Sequence, residues 1–397
     1  MKPLMTQGPL ATALALLLSL PLAAGAAETD LSGEISVEGR LFAQPSDAPS
    51  RDRGGLSVAL APEYEVFFET GQFTLSPFLR ADSADPERSH GDLREAYGLW
   101  IFDRFELAVG LRKVFWGVTE SQHLVDVVNQ TDLVENPDGE DKLGQPMVQL
   151  TVPTENGNLD LFVLPLFRER TFPGSDGRLR GPLVVDTDNA VYQSGHGRHH
   201  IDLAARYNRF FGPWEVGISH FSGTSREPQF IPNGSGGLTP LYTLIEQTGL
   251  DVQLILGEWL LKTEAIHRTG TGPGYYAWTT GFEYTFVGIG GSYMDLGVLA
   301  EWHRDTRGTS GGSPLEHDIM GGVRLAVNDL SSTEVLAGLI LDPVIGAHAG
   351  FVEASRRYGD RVRLELEARF FGAPPEDLVF HALRHDDFLQ ATVGYYF

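Results

Sequence analysis

Period-two alternation of apolar and polar residues recurs along this chain from residue 33 to residue 397, and the gaps between the alternating segments are sorted by length. The segments fall near 33–42, 55–68, 72–80, 92–102, 105–114, 146–153, 158–166, 200–209, 213–221, 249–257, 258–268, 276–287, 292–304, 315–327, 331–341, 345–356, 361–371 and 388–397. Each reads as a β-strand, because successive side chains of a strand point to opposite faces. Gaps after odd-numbered segments are mostly long: 43–54, 81–91, 115–145, 167–199, 222–248, 305–314 and 372–387. Gaps after even-numbered segments are tight, as at Thr70-Gly71, Asp103-Arg104, Glu155-Asn156-Gly157, Phe211-Gly212, Asn328-Asp329 and Tyr358-Gly359-Asp360. A soluble sandwich has no reason to sort its connections by parity. A closed sheet that crosses a bilayer does, because one rim carries short turns and the other long loops.

The expected fold is therefore all-β: a single transmembrane antiparallel up-and-down β-barrel of eighteen strands. Sixteen strands remain open as a count, because Asp342-Pro343 is a short connection where a long one is due, and the flanking runs Val335–Leu341 and Val344–Phe351 have no clear phase. Pro62 and Pro165 also fall inside strand segments, where a closed barrel tolerates proline only at bulges or strand ends. The clearest single strand is Arg361–Phe371. There Val362, Leu364, Leu366, Ala368 and Phe370 share one face, and Arg361, Arg363, Glu365, Glu367 and Arg369 share the other.

Residues 1–26 read as a signal peptide. Lys2 precedes an apolar stretch, Leu10–Leu20, then Pro21 and the small-residue cleavage site Ala24-Gly25-Ala26. Beyond it no apolar run reaches 18 residues, so a membrane location for residues 27–397 requires a barrel. With no cysteine, disulfides, thiolate catalysis and thiolate metal sites are excluded. A net charge of −23 without a basic tract disfavours nucleic acid as a partner.

Aromatic residues gather at both strand ends, with Phe102, Phe105, Phe210, Phe211, Trp214 and Tyr395–Phe397 at the short-turn rim and Tyr275, Tyr276, Trp278, Phe370 and Phe371 at the other. Such belts suit the two faces of an outer membrane, with lipid and lipopolysaccharide as surroundings. The last strand, ending on Phe397, is expected to engage the barrel-assembly machinery. The opposite phase supplies the lumen: Arg40, Arg80, Glu106, Arg112, Asp202, Arg206, Lys262, Glu264, Arg324, Arg361, Arg363, Glu365, Glu367 and Arg369 are the expected pore-lining residues. A barrel this wide is not filled by its own side chains, so a charged interior offers a path for small polar solutes.

The gap 115–145 is too rich in Trp, Leu and Val to be only a solvated loop. It is expected to fold into the lumen as a constriction, with Trp116, Glu120, Asp126, Asp132 and Glu135 as its principal residues. In this the chain resembles Gram-negative outer-membrane porins, whose third outer loop folds inward. Arg94-Glu95-Ala96-Tyr97, followed by Gly110-Leu111-Arg112-Lys113-Val114-Phe115-Trp116-Gly117, also resembles a pattern of uncharacterised porin-like families. The resemblance implies a passive channel. Arg40, Arg112, Arg361 and Arg363 are expected to face the loop's acids, and the acidic balance suggests a weak preference for cations.

Other chemistry is weaker. Asp138, Glu140 and Asp141 offer hard oxygens for calcium, but without EF-hand spacing. His196, His199 and His200 lack a carboxylate at helical spacing. Gly308–Gly312 fits G-x-S-x-G only as text, with no strand-to-helix turn around it, and the spacing of Asp186, Asp188 and His199 demands no catalytic rim. The expectation is a protein with no cofactor, no metal and no catalysis. Its rivals are a transporter for a hydrophobic small molecule and a non-conducting structural or adhesion barrel.

Overall fold

The computed structural model describes residues 28–46, 51–308, 313 and 315–397. The stretch read as a signal peptide lies outside the described residues, as does most of Gly308–Gly312. Eighteen antiparallel strands form one continuous sheet. In chain order they are β1 (Glu28–Phe42), β2 (Gly54–Phe68), β3 (Gly71–Asp82), β4 (Gly91–Ile101), β5 (Glu106–Arg112), β6 (Gln145–Thr154), β7 (Gly157–Leu164), β8 (Asp202–Phe211) and β9 (Trp214–Thr224). They continue as β10 (Leu244–Leu256), β11 (Trp259–Thr269), β12 (Tyr275–Phe286), β13 (Asp295–Asp305), β14 (Ile319–Ala326), β15 (Glu334–Leu341), β16 (His348–Tyr358), β17 (Val362–Gly372) and β18 (Phe388–Tyr396).

Every strand pairs with its successor, and β1 also pairs with β18, from Glu34 opposite Tyr396 to Phe42 opposite Phe388. Two backbone hydrogen bonds between Gly33 and Phe397, each 3.1 Å, finish the seam. The sheet is thus a closed barrel with no free edge, which removes the unpaired backbone groups that lipid cannot satisfy.

The count is eighteen, and the ambiguity at Asp342-Pro343 resolves as a loop between β15 and β16. The buried Asp342 side chain accepts the backbone N–H groups of Val344 at 2.6 Å and Ile345 at 3.1 Å, which folds that loop tightly. Both flagged prolines have an explanation. Pro165 lies just past the end of β7. Pro62 pairs with Gly33 on the β1 side, while on the β3 side the ladder lapses between Leu60–Leu79 and Tyr64–Leu75, beside a register shift at Ser76/Pro77.

Outward, large apolar side chains stay uncovered along one phase, including Leu339, Leu341, Val352, Leu366, Phe370, Leu389 and Val393. A band this large is anomalous on a soluble surface and normal on the lipid side of a barrel. Aromatic pairs close it at the short-turn rim, at Phe102–Phe105 and Phe211–Trp214, and at the loop rim, at Trp278–Trp302.

Inward, the barrel is half packed. The segment joining β5 to β6 folds inside, where Trp116, Val125, Val127 and Val128 form one cluster with Met147, Phe162, Leu164, Ala204, Phe221, Ile245, Ile266, Tyr275 and Ala277 from β6 to β12. A fully buried Val contributes on the order of 1.5–3 kcal/mol, so this face of the loop is a true core. A smaller cluster lines β13 to β15, where Leu299, Met320 and Ile340 meet Leu315, Ala347 and Phe380. Phe380 belongs to the helix α1 (Leu378–Leu383), whose first turn is capped by Asp377. The two connections flanking β8 and β9 supply a three-stranded sheet of Val191–Tyr192, Gln229–Pro232 and Leu238–Tyr242.

Candidate functional site

The short motif in β4 and β5 is the root of the inward loop. Arg94 reaches Asp132 at 2.6 Å, Glu95 accepts the backbone N–H of Lys113 at 3.0 Å, and Tyr97 lies under the Arg112 guanidinium at 5.0 Å. Gly110 has φ +140°, and a Cβ there would meet the Ala96 carbonyl at 2.2 Å, so only glycine fits the crossing. Asn129 then ties the two ends of the loop together, accepting from the Val114 N–H and donating to the carbonyls of Arg112 and Leu143.

Two wall carboxylates hold the middle of the loop. Glu264 on β11, fully buried, accepts from Val118 N at 2.7 Å, Thr119 N at 3.1 Å, Thr119 Oγ1 at 2.8 Å and Val125 N at 3.1 Å. Glu301 on β13 accepts from Glu120 N at 2.7 Å and from Ser121 N and Oγ at 3.0 and 2.5 Å. The loop backbone has no regular secondary structure here, so its N–H groups need such acceptors. Glu264, expected as a pore-lining charge, is covered by the loop it holds.

The other expected lumenal residues divide into four sets. Arg40, Arg80, Arg112, Asp202, Arg206 and Lys262 point inward but are engaged by neighbours. Arg40 donates to Gln390 at 2.7 Å, and Arg80 joins Glu38 at 3.1 Å and Glu135 at 2.8 Å. Arg112 donates to Gln149 at 2.6 Å, and Arg206 binds Asp251 at 2.6 Å over the Trp116 ring. Buried Asp202 accepts Arg226 at 2.6 Å, and Lys262 reaches Glu120 at 3.7 Å. Glu106, at the short-turn end of β5, shares the inward phase of Ala108 and Arg112. Arg324, Arg363, Glu365, Glu367 and Arg369 border open space. Arg361 departs from the expectation: it precedes β17, sits exposed at the rim and donates to Tyr395 Oη at 3.1 Å.

The expected transverse field also needs correction. Arg112, Arg361 and Arg363 do not meet the loop's acids, and Arg40 touches only the Glu135 carbonyl at 3.5 Å. The basic side chains that do meet them are Arg80 and His90 on Glu135, Arg94 on Asp132, Lys142 on Asp126, Arg324 and Lys262 on Glu120, Arg369 on Asp138 and His123 on Glu140. Arg88 is a further inward cation. It is buried and binds Glu38 at 2.6 Å and Asp82 at 2.9 Å, with Glu135's carbonyl at 3.3 Å. No local pattern marks it, since a surface-like Pro-Glu-Arg turn carries it inward.

Of the five expected constriction residues, Glu120 alone faces the main cavity; Trp116, Asp126, Asp132 and Glu135 are packed on the other side or within the loop. His123, Asn136, Asp138 and Glu140 stand with Glu120. This cavity, about 740 Å³, lies between the loop and the inner face of β14 to β18. Its lower wall bears Arg324, Leu336, Glu353, Arg363, Glu365 and Glu367, and its upper wall bears Ile340, Phe351, Phe371 and Phe380.

Burial disfavours the charged His123 ring, but Glu140 at 3.1 Å and Glu264 at 3.8 Å outweigh it and carry its pKa up to about 10. Asp141 is pushed up to about 7 by burial and by its acidic neighbours Asp138 and Glu135. Asp138 and Glu140 thus face protein cations, Arg369 and His123. His90, Asp132 and Glu135 converge closely enough to hold a metal, yet guanidinium groups already bind both carboxylates. Within the His196–His200 string, His200 Nδ1 lies 3.0 Å from Asp202.

No protein-family model matches the chain, and no curated protein matches it in sequence. Among solved structures it is similar to Wzi of Escherichia coli, described as an outer-membrane, carbohydrate-binding β-barrel involved in group 1 capsule assembly. That match has a TM-score of 0.53 and 12% identity, and covers 91% of this chain and 84% of Wzi. A variant of the Rh. blastica porin aligns at a TM-score of 0.47 and 11% identity over 93% of this chain and 100% of the porin. OmpT, an outer-membrane protein of Vibrio cholerae, aligns at a TM-score of 0.48 and 9% identity over 94% of this chain and 100% of OmpT. In fold, the chain is an outer-membrane type of β-barrel, closed by eighteen antiparallel strands.

Proposed function

We propose that this barrel sits in the outer membrane of a Gram-negative bacterium. There it acts as a non-catalytic channel for diffusion of small polar and charged solutes, with a weak preference for cations. One observation carries the reading. The main cavity is lined along β17 from Arg363, near the short-turn rim, to Phe371, near the loop rim. Those eight residue steps, at about 3.3 Å each, follow roughly 26 Å of strand, which after barrel tilt is most of an apolar bilayer core.

The loop narrows the passage by occupying the β6–β12 side, so solute is confined to the β14–β18 side. Carboxylates outnumber guanidinium groups on that path, and a low-dielectric wall strengthens their field. The purified protein reconstituted in a planar bilayer is expected to give discrete conductance steps with a modest cation bias. Absence of conductance from folded protein, or strong anion selectivity, overturns the reading.

A further inference from the structure

The cavity has two unlike ends. On its acidic side a single guanidinium serves three carboxylates: Arg369 Nε lies 2.6 Å from Glu367, and Arg369 Nη2 lies 2.7 Å from Glu353 and 3.0 Å from Asp138. Three carboxylates on one paired guanidinium leave the group with more negative than positive charge, even with Arg40 attracting Glu367 from beside it. Glu353 is the accessible member, with its side chain 43% exposed toward the cavity. Asn136 lines the same space and donates from its side-chain nitrogen to Asp138 at 2.8 Å. Burial raises the Asp138 carboxyl although Arg369 pulls it down, so the carboxylate gains from further positive charge.

Above this group the wall turns apolar. Phe351 lies under Arg369 at 5.4 Å, and Phe371 stacks on Phe380 of α1 with ring centres 6.5 Å apart. A bare metal ion makes no use of an aromatic wall, and a neutral apolar molecule makes no use of excess carboxylate. An ammonium with an aromatic substituent uses both, since cations gain from carboxylates and ring faces while the substituent is removed from water.

We propose that this cavity is a binding site for aromatic amines, with the ammonium among Glu353, Glu367 and Asp138 and the ring against Phe351, Phe371 and Phe380. The proposal rests on reading the cavity as the solute path and names a solute class for it. A bound amine adds the positive charge that the Arg369 group lacks, and α1 covers the ring from the loop side.

Calorimetric titration of the full chain, refolded in detergent micelles, tests this with 2-phenylethylamine after subtraction of a titration into empty micelles. Three controls isolate the parts: 2-phenylethanol lacks the charge, phenylacetate reverses it, and methylamine lacks the ring. 2-Phenylethylamine should bind at least tenfold more tightly than each control. Glu353→Gln should weaken it at least fivefold, and Phe371→Leu should weaken it while leaving methylamine unchanged. Heat modifiability on gels verifies that each variant is folded.

Equal binding of phenylacetate or methylamine overturns the proposal, as does an unaltered affinity in folded Glu353→Gln. The channel reading stands or falls separately. Conductance without amine binding removes this inference and leaves the channel, whereas binding without conductance leaves the site and removes the channel.

Discussion

Replacing Glu264 by alanine should release the inward loop without opening the barrel wall. Its carboxylate accepts four hydrogen bonds from Val118, Thr119 and Val125, all in a region closed to water. Charge-assisted bonds contribute about 1.5–3 kcal/mol each, but their effects do not add, because one released segment finds water for several N–H groups at once. A total of ~4 kcal/mol is therefore reasonable, matching the usual cost of removing one partner from a buried charged contact. At about 1.4 kcal/mol per factor of ten, the undocked fraction of the loop rises roughly a thousandfold. The β11 ladder is untouched, since its register with β10 and β12 depends on backbone groups. Lys142, with its side chain 17% exposed and held to Asp126 at 3.1 Å, reports the change. Trypsin at fixed pH should cut after Lys142 much faster in Glu264→Ala, and at an intermediate rate in Glu264→Gln, which keeps one acceptor oxygen. If the alanine variant is folded and resists trypsin as the parent does, Glu264 does not hold the loop and the reasoning is refuted.

A second test concerns Gly117, where an added Cβ would lie 2.8 Å from His123 Nδ1 and 3.1 Å from Glu264 Oε1. Gly117→Ala should cost about 1–3 kcal/mol of loop docking, visible as faster cleavage after Lys142. Leu366, 44% exposed on the outward phase, should tolerate charge poorly: Leu366→Arg should lose about 2–4 kcal/mol of folding stability in lipid vesicles, measured by denaturant titration of tryptophan emission. Docking should also weaken as pH rises. Asp141 holds a proton in the docked loop between 3.8 and about 7, and His123 does so between 6.5 and about 10. In both windows the released loop binds fewer protons, so the slope of docking stability against pH is negative in each. Single-channel conductance should accordingly be larger and noisier at pH 9 than at pH 6; the opposite order counts against this assignment.

The barrel was legible because each wall strand meets two different solvents. Leu364 and Leu366 alternate with Arg363 and Glu365 for that reason, and loop parity then fixed which rim was which. That the 115–145 gap docks inside was also legible, from Trp116 and the valines at 125, 127 and 128. Which of its acids face open space was not. The segment has no repeating backbone geometry, so Asp126 and Asp132 look like Asp138 and Glu140 in sequence, yet the first pair's carboxyls are enclosed and the second pair stands at the cavity. Arg361 and Arg369 lie on one phase of one strand, but the strand begins at Val362, which leaves Arg361 to a turn. Partners such as Arg88 for Glu38 are set by closure of the whole sheet and leave no local signal.

The charges inside this barrel differ in how far the surrounding electrolyte reaches them. Glu264, Arg88 with Glu38, and Arg206 with Asp251 are enclosed, whereas the Arg363 and Glu365 side chains are 39% and 42% exposed along the passage. Raising ionic strength from 0.01 to 1 M shortens the Debye length from about 30 to about 3 Å. Counter-ions then blanket the passage but do not enter the packed half, so salt erodes discrimination between cations and anions while leaving the obstruction in place. Reversal potentials and tryptic resistance, followed along one salt series, should therefore part company.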